Sequence, residues 1–338
     1  MDLRAKNMDV KGKIIVVSNR NVDKNRHDEG LFGDDLNPKG SEQLNIALAQ
    51  RETDPQSASN WQLELLSNPA NPSYRKPKLF ETFKAVMRQI EQDRADGAKP
   101  VNWLVFTHGF NQSLDKNLRK CEELASYGVN VITFSWPSNP GPQEFWLKHK
   151  EYQRAVKNAK RSVVAFERFL EFFSTYVNQF QSAHCEVNLN FIVHSLGNFL
   201  VEEFVKSSTY DNEFKVFSNV ILHQGDADSY QHELWVAKIV NDARVYITIN
   251  DKDYVLAGSD VVNPNRLGNS SDNCVMQQAK YFDFTDGEGV GVSHRPWFTP
   301  GKSNPAVGEF FTKVLNGHRG EHADGWQYVP AKNYYELG

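Results

Sequence analysis

The chain has 338 residues, 40% hydrophobic and 24% charged, enough to bury one large core with decorations. Its formal net charge of −4 argues against the electrostatic footprint that a phosphate backbone demands, leaving open only a local basic patch, so no nucleic-acid partner is expected. Three cysteines without metal-ligand or redox spacing imply no disulfide framework, and neither a signal-peptide run in Met1–Lys13 nor a stretch of transmembrane length exists. These exclusions predict a cytoplasmic protein without stable membrane insertion.

The predicted elements begin with a buried strand over 13–18 (KIIVVS), followed by short strands over 43–48 and 61–66. Prolines at 69, 72 and 77 predict a loop over 68–78, and apolar spacing from Leu79 predicts a helix closing near Gly97. Strand and helix then alternate. A strand over 103–106 precedes a helix capped by Ser113 and carrying Leu114, Leu118, Cys121 and Ala125; a strand over 129–134 precedes a long stripe from Val156 to Phe173. A strand over 189–193 runs into His194-Ser195-Leu196-Gly197 and a helix over 198–206, and strands over 216–222, 245–249 and 280–284 follow. Such alternation specifies a mostly parallel central sheet with helices on both faces and an N-terminal strand extension. One domain is expected over 1–338, with strands and loops over 1–78, a core over 79–316 and a tail over 317–338. The tail carries Trp326, Tyr328, Tyr334 and Tyr335, either as an interaction strip or packed on the body.

In a parallel sheet, functional groups gather at the carboxyl ends of strands. Ser195 stands at a strand-to-helix turn, where a hydroxyl is exposed to a base and the next N–H faces a developing oxyanion, so it is the candidate nucleophile. Downstream, Asp251 ends a strand and His294 sits in a loop behind the glycine-rich stretch 287–293, giving the chain order serine, acid, histidine. Asp253, Asp226 and Asp228 are alternative acids. Gly109, Phe110 and Leu196 are the candidate oxyanion donors, and His108, Trp136 and Asp226 are candidate pocket residues. No metal or other cofactor is expected, because the histidine and aspartates near 223–228 lack a partner set of ligand spacing.

Three motifs stand in order: Thr107-His108-Gly109-Phe110-Asn111, Phe134-Ser135-Trp136-Pro137-Ser138 and His194-Ser195-Leu196-Gly197-Asn198. Together they resemble an uncharacterised bacterial α/β-hydrolase family with HGFN, SWPS and HSxGN signatures. The resemblance extends to Asn250-Asp251, Arg266-Leu267-Gly268, Ser293-His294 and Ser18-Asn19-Arg20. It implies the α/β-hydrolase fold and serine hydrolase chemistry. One departure is Val193, where such sequences carry a small residue.

The leading expectation is a carboxylic-ester hydrolase acting through an acyl-enzyme on Ser195, with a small-molecule ester or lipid as substrate. A lipase or phospholipase, with an exported bacterial toxin as one form of it, is the alternative, motivated by the aromatic tail and by Phe145 and Trp146 in a cap over 139–152. A noncatalytic binding domain on the same fold is the third. The excursion over 253–278 is expected to border the pocket.

Overall fold

The computed structural model describes residues 10–66, 75–98, 101–138, 148–180, 187–260, 265–298 and 303–338. Apolar runs such as Ile14–Ser18 (β1), Trp103–Thr107 (β6) and Leu189–His194 (β8) are buried along their whole length, as strands covered on both faces must be. The remaining strands are β2 (Arg20–Val22), β3 (Phe32–Leu36), β4 (Asn45–Arg51), β5 (Trp61–Leu65), β7 (Asn130–Ser135), β9 (Asn219–His223), β10 (Arg244–Ile249), β11 (Lys280–Asp283), β12 (Trp326–Val329) and β13 (Tyr334–Leu337). Eleven of them form one sheet in the order β12-β13-β11-β10-β9-β8-β6-β7-β1-β4-β5, with β2 and β3 forming a separate hairpin. In that order every pairing between β13 and β1 is parallel, while β4 pairs antiparallel with both β1 and β5 at one edge and β12 pairs antiparallel with β13 at the other.

Two apolar cores lie on opposite faces. One face is covered by α1 (Arg75–Ala95), α3 (Lys148–Phe180), α4 (Gly197–Lys206) and α5 (Glu233–Val240), whose Phe83, Phe166, Phe169, Val201 and Trp235 meet inward residues such as Val105 and Phe191. The other is covered by α2 (Leu114–Ala125) and α7 (Pro305–Leu315), with Leu118, Cys121, Phe310 and Phe311 against Leu104, Phe106 and Ile192. A short helix, α6 (Tyr254–Asp260), follows β10. The α2 start is fixed by its cap: the Ser113 hydroxyl accepts from the Lys116 N–H.

Several expectations are refined. Residues 75–78 belong to α1 and not to a loop, since Pro77 falls in the first turn, where no amide hydrogen is needed; residues 67–74 lie outside the described set. The strand expected over 216–222 begins at Asn219, because Glu213–Val216 wind into a 3₁₀ turn that buries Phe214. The tail is no loose strip. Its hairpin extends the sheet, and Trp326 and Tyr335 pack on Phe282 with centroids 4.9 and 4.7 Å away.

Candidate active site

The site is built at the carboxyl ends of β6, β8, β9 and β10, as the sheet rule requires. At the end of β8 the chain reverses through Ser195, whose φ of 55° is a left-handed value that a non-glycine residue holds only under constraint. The constraint is visible. The Ser195 N–H donates to His223 O at 3.1 Å, and its carbonyl accepts from the N–H groups of Asn198 and Asp226 at 2.9 and 3.0 Å. Asn198 also turns its amide back onto the carbonyls of Val193 and Ser195, at 3.1 and 3.0 Å. The departure at Val193 therefore leaves the elbow intact, with the Val193 side chain buried in the core. Close approach is needed elsewhere: a Cβ on Gly109 would lie 2.5 Å from Ser195 Cβ, and one on Gly197 2.9 Å from His108 O.

His294 is carried by a loop of successive turns, with Gly289 and Gly291 at left-handed φ values of 76° and 50°. Side chains from three strand ends hold that loop. Gln224 and Asn250 donate to Ser293 O at 2.9 and 3.0 Å, Asn250 also reaches Gly291 O at 3.0 Å, and His194 Nε2 donates to His294 O at 3.0 Å. The loop thus docks on the residue immediately before Ser195.

The acid that meets this histidine is Asp253. Its buried carboxylate accepts from His294 Nδ1 through Oδ2, while Oδ1 accepts the Val255 and Leu256 N–H groups at 2.9 and 3.2 Å and so opens α6. Asp251, the expected acid, points away: it accepts from Ser271 Oγ at 3.2 Å, and burial together with Asp283 pushes its carboxyl up. The physical reason is the turn after β10, which faces position 251 outward and position 253 inward. With Nδ1–H committed to a carboxylate, Nε2 is the basic nitrogen of His294. Asp228 accepts from the Tyr230 N–H instead, at 2.9 Å.

The Gly109–Phe110 segment is held by the Phe134–Ser138 motif. His108 is fully buried; its Nδ1 donates to Gly109 O at 2.9 Å and its Nε2 accepts from the Trp136 N–H at 3.2 Å. Ser138 Oγ also donates to Gly109 O, at 2.7 Å, and Asn111, at φ 58°, donates its N–H to Ser138 O. Arg20, buried at the start of β2, donates to Gln112 O at 2.6 Å and Ser135 Oγ at 3.0 Å. Among the described residues no backbone acceptor faces the Phe110 or Leu196 N–H. Two expected pocket residues are corrected here: His108 and Trp136 are stacked on each other in the interior, 5.5 Å apart, and both are fully buried. Their signal was misleading because a strand-end tryptophan looks the same whether it turns outward or inward.

Asp226, the third expected pocket residue, is buried beside the elbow and accepts from Tyr152 Oη at 3.1 Å, with Arg266 Nη1 4.0 Å away. The excursion over 265–268 covers this region: Leu267 donates to Ala227 O, Gly268 to Gly225 O, and Gly268 accepts from the Asn250 N–H. The expected cap residues Phe145 and Trp146 lie outside the described residues. Among the described residues no group of histidine, cysteine, aspartate or glutamate is arranged to hold a metal ion, and no helix is long and apolar enough to cross a membrane.

Sequence reasoning passed over Glu123, Gln224 and the use of His194. Burial pushes the imidazoles of His108, His194 and His223 well down, so all three are neutral supports.

A parallel sheet with this order, an elbow after β8 and a histidine loop after the last central strands define an α/β hydrolase. The family model described as alpha/beta hydrolase of unknown function (DUF900) matches residues 84–290, more than half of the chain, and the chain belongs to that family. No curated protein matches it. The matched span contains Ser195 and Asp253 and stops just short of His294.

Proposed function

We propose that this α/β hydrolase cleaves carboxylic esters through an acyl-enzyme on Ser195. The reading rests above all on one observation: the Asp253 carboxylate meets His294 Nδ1 in a loop docked beside the strained Ser195 elbow. In the proposed reaction His294 Nε2 takes the Ser195 Oγ proton as the oxygen attacks the ester carbonyl. The N–H groups of Leu196 and Phe110, with Gly109 allowing the approach, receive the oxyanion. Collapse expels the alcohol, which takes the proton from His294. Water, deprotonated by the same nitrogen, then releases the acid and restores Ser195.

A small-molecule ester fits better than a membrane lipid, since Trp326 and Tyr335 of the tail pack on Phe282 of the sheet and leave Tyr328 as its exposed aromatic. The buried free cysteines Cys121 and Cys274 accord with a reducing compartment. The test is fluorophosphonate labelling and turnover of short p-nitrophenyl esters by the wild type and Ser195→Ala. Labelling and turnover should vanish in the variant. A wild type that is neither labelled nor active on esters, thioesters or amides would refute the proposal.

A further inference from the structure

Glu123 takes no part in the chemistry proposed above, yet it grips the chain on the far side of His294. Its Oε1 and Oε2 accept from Arg295 Nη1 at 2.7 and 3.0 Å, and Oε2 also accepts from Trp297 Nε1–H at 3.2 Å. Arg295 and Trp297 are the first and third residues after His294, 172 and 174 positions away from Glu123 in sequence. Its carboxylate is 13% exposed, so the contact of both oxygens with one guanidinium nitrogen is screened less than a surface pair. Tyr127, one turn further along the chain, donates its hydroxyl to Trp297 O.

The other end of the same helix begins at the oxyanion segment. Ser113 caps α2 directly after Gln112, whose N–H donates to Ser138 Oγ at 3.3 Å and whose side chain donates to the Phe110 and Asn111 carbonyls, each at 3.0 Å. Helix α2 is packed along its length by Leu114, Leu118, Cys121 and Leu124, all buried. A rigid helix therefore spans the oxyanion donors at one end and the base-bearing loop at the other.

We infer that Glu123 is a positioning residue, which through Arg295 and Trp297 fixes His294 relative to the oxyanion segment. This rests on the proposed role of His294. A displaced base leaves ground-state binding intact and slows the chemical step, because misplacement by about 1 Å can lower rate by about 10²-fold. The clamp should therefore act on kcat and not on KM.

The experiment compares full-length wild type, Glu123→Ala, Glu123→Gln, Arg295→Ala and Ser195→Ala for p-nitrophenyl ester turnover, fluorophosphonate labelling rate and thermal melting. Glu123→Ala and Arg295→Ala should each lower kcat and the labelling rate by about 10- to 100-fold with KM within about twofold. Glu123→Gln, which keeps one acceptor oxygen but places an amide N–H where the second oxygen meets Arg295, should recover only part of the loss. Arg295→Ala, at a half-exposed position, serves if Glu123→Ala folds poorly. The inference is overturned if both alanine variants keep kcat within about twofold of wild type, or if their losses merely follow the fraction unfolded. A wild type no more active than Ser195→Ala instead refutes the ester-hydrolase reading, a separately recognisable result.

Discussion

Asp253 carries two duties on one carboxylate, capping α6 through Oδ1 and meeting His294 through Oδ2. An asparagine at 253 keeps the cap oxygen but presents an amide where His294 needs an acceptor, favouring the wrong tautomer. Asp253→Asn should therefore retain the fold and lower kcat by about 10⁴-fold, as expected when the orienting acid of such a triad is lost. Asp251→Asn should leave kcat within about twofold, since its carboxylate meets Ser271 and not the histidine. Steady-state turnover with melting as a control decides; the reverse ranking would sink the assignment. The turn at Ser195 and the loop that carries His294 were legible as places in the fold because elbow and glycine-rich loop have local signatures. Which aspartate meets the histidine was not, because two aspartates separated by one residue differ only in the direction of a turn that no local pattern encodes.

At the scale of elements, each sequence motif is one side of a brace. The Thr107–Asn111 and Phe134–Ser138 motifs hold each other through His108, Trp136 and Ser138, and Asn250 ties the end of β10 to the His294 loop. The central strands were readable since burial on both faces writes them as continuous apolar runs. The C-terminal hairpin was hidden. Its Trp326 and Tyr328 alternate with residues that read equally as a decorated tail, and only pairing with β11 reveals a strand. Deleting 317–338 should expose the β11 edge and the Phe282 and Phe284 faces now covered by Trp326. The truncated chain should melt at least about 4 °C lower, or aggregate, while a chain melting like the full protein would contradict this packing.

For the molecule as a whole, the buried histidines set the acid limit. His108, His194 and His223 titrate well below their ordinary value in the fold, chiefly through burial, but near 6.5 once unfolded. The unfolded state therefore binds more protons as pH falls below about 6.5, and stability present above that value is lost below it. Three such groups together cost up to about 4 kcal/mol per pH unit; carboxyls raised by burial, such as Asp283 and Glu202, act in the opposite sense and blunt the limb. Lys120, pushed down to about 7 by burial and then Arg295, adds a gain as pH rises through 7. Urea midpoints should rise from pH 5.5 to 7.5. A flat profile would mean that these side chains are hydrated.

The order in which the chain is made gives the His294 loop one more consequence. A ribosome releases Ser195 roughly a hundred residues before His294, and the partner that grips the loop, Glu123, earlier still. On the proposed mechanism, the growing polypeptide carries its elbow without a base for that whole interval. Translation order would then keep the hydroxyl dormant until nearly the full sheet has emerged.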